Sequence, residues 1–156
     1  CAILGAALRL NVAFPTVSVP NLSREALEFA IDALLALGLV GLFAGFQRFR
    51  TWAAAAGFVG AVLAILLIRT GGRLPLPGGS HQTATTVMAL SLAVAGAGLF
   101  PGGGVARWMG VGWIAAFSLG LAGTLLHWPA GAMAAIALSC AAFVLGGAGL
   151  VGGAKA

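Results

Sequence analysis

Long apolar runs, separated by short polar stretches, dominate this chain from about residue 27 onward. Each run has roughly 17 to 22 residues, which at about 1.5 Å per residue is enough to cross the hydrocarbon core of a bilayer. The pattern therefore predicts an all-α fold, a polytopic transmembrane helical bundle with about five membrane-spanning helices. The predicted spans are residues 27–46, 52–68, 84–100, 108–126 and 130–151.

The first 23 residues follow a different pattern. Pro15 and Pro20 prevent residues 12–20 from forming a helix, because proline removes a backbone donor and clashes with the preceding turn. We predict that residues 1–23 are an extramembrane or interfacial segment and that residues 24–152 form the transmembrane bundle. Two interpretations of residues 1–10 stay open, the last turns of a further span or an interfacial segment.

The composition supports a membrane location. Hydrophobic residues make up 61% of the chain and charged residues 7%, and the mean hydropathy is +1.09. A soluble domain carries about 25% charged residues, so most of this surface must face lipid rather than water. The net charge of +5 is spread over the ends of the apolar runs. Because no basic stripe with interleaved aromatic residues exists, we expect the lipid bilayer, and no nucleic acid, as a partner.

The basic residues also predict an orientation, since cytoplasmic loops carry an excess of Lys and Arg. If five helices alternate, one side of the membrane holds four basic residues and no acidic ones: Arg48, Arg50, Arg107 and Lys155. We predict that this side is cytoplasmic. The protein would then be a multi-pass protein of the bacterial inner membrane, with its N-terminus outside and its C-terminus in the cytoplasm.

Cysteine usage gives one further hypothesis about the N-terminus. Cys1, followed by Ala2, resembles the mature start of a bacterial lipoprotein, whose signal peptide is cut before a lipidated cysteine. Acylation of Cys1 and a truncated chain start are the two interpretations. Cys140 lies within an apolar run, so we expect neither a disulfide nor a thiolate metal site.

All three acidic residues of the chain fall in the stretch REALEFAID, residues 24–32. Glu25, Glu28 and Asp32 are spaced i, i+3 and i+7, so they lie on one face of a helix. Asp32 is about five residues inside the apolar run, where an ionised carboxylate must be paired, hydrated or protonated. Arg69 ends the next predicted helix near the same membrane face. We therefore predict an ion pair between Asp32 and Arg69.

The same face of the membrane carries the two histidines, and the candidate polar membrane site is Asp32, Glu28, Arg69, His81 and His127. A helix-anchoring ion pair is the preferred interpretation, and a proton path or a quinone contact at headgroup level is the alternative. A metal site built from Glu28, Asp32, His81 and His127 lacks any close spacing of ligands. His127 is expected to cap the last carbonyls of the fourth span. We expect no catalytic residues and no metal.

Small residues and tryptophans mark contacts within the membrane. Small residues let helix backbones approach closely in lipid, and those predicted to lie at helix contacts are Gly41, Gly45, Gly120, Gly131 and Ala135. Tryptophan prefers the boundary between lipid and water, and the predicted interface anchors are Trp52, Trp108 and Trp128. Trp113 lies deeper and is expected to contact another helix.

One long stretch, NLSREALEFAIDALLALGLVGLFAGFQRFRTWAAAAGFVGAVLA, resembles the middle of DoxX-like small membrane proteins. In that family a helix that opens with an acid leads to a Gly-Leu-rich end, an Arg turn and an Ala-rich helix. GLFPGGGVARW is similar to the Gly-rich close of the family. The resemblance implies a four-helix-type membrane subunit linked to quinone or thiol redox chemistry. The sequence departs from the family in two places: the first family helix would be missing or cut off at CAILGAALRL, and the fifth span is an extra.

These observations favour a non-catalytic accessory subunit of a larger bacterial membrane complex, acting by helix packing and assembly. Respiratory or photosynthetic electron transfer is the expected context. One alternative is a DoxX-like redox subunit, and another is a small transporter that couples protons or cations through Asp32. No motif implies a cofactor, and a quinone, a lipid or a peripheral pigment stay open as ligands.

Overall fold

A computed structural model describes residues 1–13, 24–45, 51–70 and 80–152, without the side chains of residues 13, 24, 70 and 80–82. The described residues form six α-helices and a 3₁₀ turn, Phe100–Gly102, and contain no strand. The helices are α1 (Ala2–Ala13), α2 (Arg24–Gly45), α3 (Trp52–Thr70), α4 (Ser80–Leu99), α5 (Gly104–Leu125) and α6 (Pro129–Val151).

The predicted fold class is confirmed. Five helices, α2 to α6, are long and apolar enough to cross a membrane, and they indicate a multi-pass membrane protein. Three of them begin before the predicted span, α2 at residue 24 instead of 27, α4 at 80 instead of 84 and α5 at 104 instead of 108. The reason is that hydropathy reports the part of a helix that matches the hydrocarbon, whereas polar first turns continue the same helix toward water.

The helices form a closed ring in chain order. Helix α3 packs extensively on α4, and α5 on α6, while α4 joins α5 and α1 lies between α2 and α6. The pairing of α5 with α6 follows from the short turn between them, and the two helices are antiparallel. Gly123 faces Ala132 near the turn, and Gly112 faces Ala142 farther away.

Helix α1 lies alongside the transmembrane helices. A Cβ atom built on Gly38 in α2 would lie 2.7 Å from the Cα of Ala2, and one built on Gly5 would lie 3.1 Å from the Cβ of Leu34. Ala2 is thus level with a position 14 residues, about 21 Å, along α2 from Arg24. Residues 2–13 of the predicted extramembrane or interfacial segment are therefore packed against the bundle. Residues 14–23 lie outside the described residues, and acylation of Cys1 stays a prediction.

Glycines allow the helices to approach at several crossings. A Cβ on Gly96 in α4 would lie 2.6 Å from the carbonyl oxygen of Gly110 in α5, so neither helix tolerates a side chain there. At the crossing of α3 with α4, a Cβ on Gly57 would collide with the backbone of Ala95. These contacts explain how helices of almost uniform apolarity find fixed neighbours, because close backbone approach increases dispersion contacts in lipid.

A row of four aromatic rings crosses the centre of the ring of helices. Phe43 of α2 packs on Phe58 of α3, with 5.4 Å between the ring centroids. Phe58 packs on Trp113 of α5 and Trp113 packs on Phe143 of α6, with centroid distances of 5.8 Å and 5.2 Å. The last two contacts are edge-on, an arrangement that the ring quadrupoles favour. Trp113 is only 1% exposed, which confirms its predicted contact with another helix.

The start of α3 is fixed by a hydroxyl group. The Oγ1 of Thr51 accepts a hydrogen bond from the amide of Ala54 at 3.1 Å, as an N-cap residue does. The same hydroxyl donates to the carbonyl oxygen of Gly98 at 3.0 Å. Thr51 therefore caps the N-terminus of α3 and ties it to the end of α4.

Candidate polar membrane site

Asp32 and Arg69 form the ion pair that the sequence predicts. The Nε of Arg69 donates to Oδ2 of Asp32 at 2.7 Å, and Nη2 lies 2.6 Å from the same oxygen. The two side chains come from the sequence-adjacent helices α2 and α3. The pair therefore links α2 to α3 and neutralises the carboxylate that lies deepest in the apolar run.

The helix register explains why these two residues meet. Phe43 meets Phe58 on the same two helices, and Asp32 and Arg69 are each 11 residues from that contact. Eleven residues are about three turns, so both contacts lie on the same face of each helix. Asp32 thus lies eight residues, about 12 Å, along α2 from Arg24, but level with the last turn of α3.

Arg69 also contacts an exposed aromatic ring. Its guanidinium carbon is 5.8 Å from the centroid of the Phe29 ring, one turn from Asp32 on α2. The Arg69 side chain is 31% exposed and that of Asp32 is 15% exposed. The guanidinium is therefore held between a carboxylate and a ring while it keeps access to the surface, which is typical of an amphipathic side chain at a membrane boundary.

The described contacts of this pair include neither Glu28 nor His127. Glu28 is partly buried one turn away on α2 and has an interaction of its own. His127 lies in the turn between α5 and α6. The side chain of His81 is outside the described residues. Among the described residues, no three His, Cys, Asp or Glu side chains come together in an arrangement that suits a metal ion.

His127 ends α5 through its backbone. Its φ angle is +48°, in the left-handed region, and its amide donates to the carbonyl oxygen of Thr124 at 3.4 Å. The amide of Trp128 donates to the carbonyl oxygen of Gly123 at 2.8 Å. These two bonds form a Schellman motif, which satisfies the last carbonyls of a helix. The predicted capping role of His127 is confirmed, with its backbone amide as the donor.

An open recess of about 380 Å³ lies beside this turn. Six residues line it: Gly123, Thr124, His127, Trp128, Pro129 and Ala132. The hydroxyl of Thr124 already donates to the carbonyl oxygen of Gly120 at 2.9 Å. The recess is therefore a shallow, mainly apolar hollow at the end of the bundle.

The glycines and alanine predicted for helix packing divide into two groups. Gly120 faces Ala135 across the α5–α6 contact, and Gly131 lies against the Trp128 ring. Gly45 meets the Leu150 side chain of α6, but a Cβ on Gly41 would have nothing within 4 Å. Only one end of the GxxxG motif is thus used within the described part of the chain.

The three predicted interface tryptophans have exposed side chains near helix ends. Trp52 begins α3, Trp108 lies in the first turns of α5, and Trp128 precedes α6. Helices α3 and α5 run in the same direction, so Trp52 and Trp108 share one end of the bundle, and Trp128 lies at the other. Their role as lipid-boundary anchors stays a prediction.

Arg9 is a charged residue of α1 that the sequence did not mark as a site. It follows Ala2, Gly5 and Ala6 on the packed face of α1 and is partly buried. Because Ile3 lies against Gly147 of the antiparallel helix α6, Arg9 is near the level of Cys140. Residues 1–10 were open to two interpretations, the last turns of a span or an interfacial segment, and the sequence did not decide between them.

Comparison of the chain with protein-family models, curated proteins and solved structures found no match.

Proposed function

We propose that this chain is a non-catalytic accessory subunit of a larger bacterial membrane complex and that it joins the complex through the outer face of α2. The observation that carries the proposal is the open position of Gly41. At every other glycine in the interior of α2 to α6, an added Cβ would lie within 4 Å of a neighbouring group, as at Gly57 against Ala95. A glycine costs helix stability unless its small size is used, so an unused one in mid-helix needs an explanation.

The surface around Gly41 suits a second helix. Leu37 is 60% exposed and Val40 is 56% exposed, and both lie within one turn of Gly41 on the same side of α2. Large side chains that flank a small one form a groove into which a neighbouring helix can pack. In lipid, such close packing is a main source of helix association. A partner helix at Gly41 would therefore gain contacts that this chain does not itself supply.

The geometry of Asp32 supports an anchoring role more than transport. A carboxylate that carries a proton or a cation must exchange that ligand, whereas Oδ2 of Asp32 holds two nitrogens of Arg69 within 2.7 Å. The guanidinium of Arg69 also balances the charge of the carboxylate. Transport through Asp32 remains the alternative function, and the variants of this pair described below separate the two.

Electron transfer as the context of the complex and a location in the bacterial inner membrane are parts of the same proposal. A DoxX-like redox role is a second alternative function, and it rests on the sequence resemblance. The proposed orientation, with the N-terminus outside, rests on the basic residues near the ends of the spans, including Arg107 in the first turn of α5.

Native mass spectrometry of the protein extracted in mild detergent tests the accessory role. We expect the wild type within a stoichiometric assembly, and Gly41→Leu as a folded chain released from it, because a side chain at Gly41 blocks a partner but not the fold. Ala56→Leu places the same side chain on the exposed face of α3 and should stay assembled.

Release of the wild type as a lone 15.4 kDa chain or a homo-oligomer would overturn the proposal. If Gly41→Leu stays in the intact assembly, the partner must contact a different face of the chain. The mass of the chain in the same spectrum reports whether Cys1 is acylated.

A further inference from the structure

Arg107 is an exposed cation at one end of the bundle. It lies in the first turn of α5, and the neighbouring Trp108 is 66% exposed. All three side-chain carboxylates of the chain are on α2 between residues 25 and 32, and Asp32 meets the last turn of α3. The start of α5 is at the opposite end, beside the end of α4. Within the described helices, the positive charge of this end is therefore not balanced by any side-chain carboxylate.

The guanidinium of Arg107 is held in place by Phe100. Its Nε donates to the carbonyl oxygen of Phe100 at 3.3 Å, and its central carbon is 5.8 Å from the centroid of the Phe100 ring. The two terminal nitrogens have no hydrogen bond or ion pair to the described residues. A restrained guanidinium loses little freedom when it binds, and its planar fork matches two oxygens of a phosphate. Arg107 is thus prepared to bind an oxyanion from outside the bundle.

A shallow apolar groove continues from Arg107 along the lipid-facing side of the contact between α4 and α5. One turn to one side of the glycine crossing of these helices, Phe100 meets Arg107. One turn to the other side, Ala93 of α4 and Ile114 of α5 take the equivalent positions, seven residues back from Phe100 and seven on from Arg107. Phe100 is 46% exposed, and Ala93 and Ile114 are both partly exposed. The small side chain of Ala93 leaves a low floor between two larger apolar groups.

We propose that the lipid-facing side of the α4–α5 contact binds an anionic phospholipid, whose phosphate pairs with Arg107 and whose acyl chain lies against Ala93 and Ile114. The phosphate supplies the negative charge that this end of the described helices lacks.

The depth of each group fits such a lipid. Arg107 and the exposed Trp108 lie at a helix end, and tryptophan prefers the level of the lipid headgroups. Ile114 lies about 10 Å farther along α5, toward the middle of the bilayer, where an acyl chain would be. This groove is separate from the face of α2 that carries Gly41, so the lipid site does not depend on the accessory role.

Thermal unfolding of the full chain in neutral detergent micelles tests the site with three additives. The additives are phosphatidylcholine, a 3:1 mixture of phosphatidylcholine and phosphatidylglycerol, and inorganic phosphate with phosphatidylcholine. For the wild type we expect phosphatidylglycerol to raise the Tm by about 5 °C, because a ligand that binds only the folded state stabilises it. Inorganic phosphate should have no comparable effect, because it makes no contact with the apolar groove.

Variants of Arg107 separate a specific site from a general effect of charge. Arg107→Gln should lose the shift caused by phosphatidylglycerol and retain about tenfold less of this lipid in native mass spectrometry. Arg107→Lys, which keeps the charge but loses the planar fork, should show a smaller shift than the wild type. Arg9→Gln lowers the net charge by the same amount but changes α1 instead, so it should keep the full shift.

A matched pair of leucine variants tests the acyl-chain contact. Ala93→Leu fills the groove without changing any charge, so it should reduce both the retained phosphatidylglycerol and the Tm shift. Ala56→Leu places the same side chain on the exposed face of α3 and should leave both unchanged. Unfolding without added lipid shows that each variant is folded. Unchanged lipid retention in folded Ala93→Leu would contradict the proposed groove.

Three further results would overturn the lipid site. The first is an equal response of Arg107→Gln and the wild type to phosphatidylglycerol, including no response in either. The second is an equal loss of the shift in Arg107→Gln and Arg9→Gln, which would mean that the lipid responds to net charge alone. The third is a shift with inorganic phosphate as large as that with the lipid, which would mean that the ligand is a free anion.

Discussion

Asp32 and Arg69 form an ion pair three turns from the contact of Phe43 with Phe58, and on the same face of both helices. The seam between α2 and α3 is thus held by a polar contact near one end and an aromatic contact near the other. Fewer residues join these two helices than join α3 and α4, so each of the two contacts has a large share in holding the seam.

The ion pair should stabilise the fold by a modest amount. Asp32→Asn leaves Arg69 without its counter-charge, and we expect it to lower the free energy of unfolding by about 1 to 2 kcal/mol, since the pair is partly exposed. Asp32→Asn with Arg69→Gln should recover most of the loss, because no uncompensated charge remains. Chemical unfolding in detergent, followed by tryptophan fluorescence, measures both values.

The same single and double variants distinguish an anchoring ion pair from a transport site. An anchoring pair predicts that the double variant stays assembled and active. If the double variant is as stable as the wild type but has lost ion or proton flux in proteoliposomes, Asp32 acts in transport instead.

The glycines should differ sharply in their tolerance of a methyl group. Gly57→Ala places a Cβ against the backbone of Ser91 and Ala95, and we expect a loss of about 2 kcal/mol because the two helices must separate. Gly41→Ala meets open space and should be neutral or stabilising by up to about 1 kcal/mol, since alanine is the better helix former. Thermal unfolding of the two variants side by side is the measurement. Similar losses in both would contradict the described packing of α2.

The hydroxyl of Thr51 should contribute through two hydrogen bonds. Thr51→Val keeps the shape but removes the cap on Ala54 and the bond to Gly98, with an expected loss of about 1 to 2 kcal/mol. Thr51→Ser keeps the hydroxyl and should lose less than half as much. Unfolding curves for the two variants check this, and a larger loss for serine than for valine would show that the methyl group, not the hydroxyl, is important.

The turn between α5 and α6 should prefer glycine at position 127. His127 has a φ of +48°, which costs free energy for a residue with a side chain, so His127→Gly should raise stability by about 0.5 to 1 kcal/mol. His127→Val should lower it, because a β-branched residue is poorly tolerated at positive φ. A Tm measurement of both variants tests the expectation. Destabilisation by glycine would indicate that the imidazole itself has a stabilising contact.

Some of the candidate site could be predicted from residue order alone. Asp32 is the only carboxylate well inside an apolar run and Arg69 ends the adjacent span, so the cost of an unpaired charge in lipid leaves few partners. The position of Arg9 could not be predicted in this way. It depends on α1 lying between α2 and α6, and the residues that bring α1 there, Ala2 and Gly38, are small apolar groups common throughout the chain.

The sequence by itself determined the class of the protein, the number of long spans, the Asp32–Arg69 pair and the tight α5–α6 turn, because length, hydropathy and isolated charges are local properties. Only the tertiary structure decided which face of each helix points inward. Helices that are apolar all round have no polar side to mark the surface, and lipid is as apolar as the protein interior. Gly57 and Gly41 therefore look alike in the sequence, and shape complementarity between neighbouring helices buries one and leaves the other open.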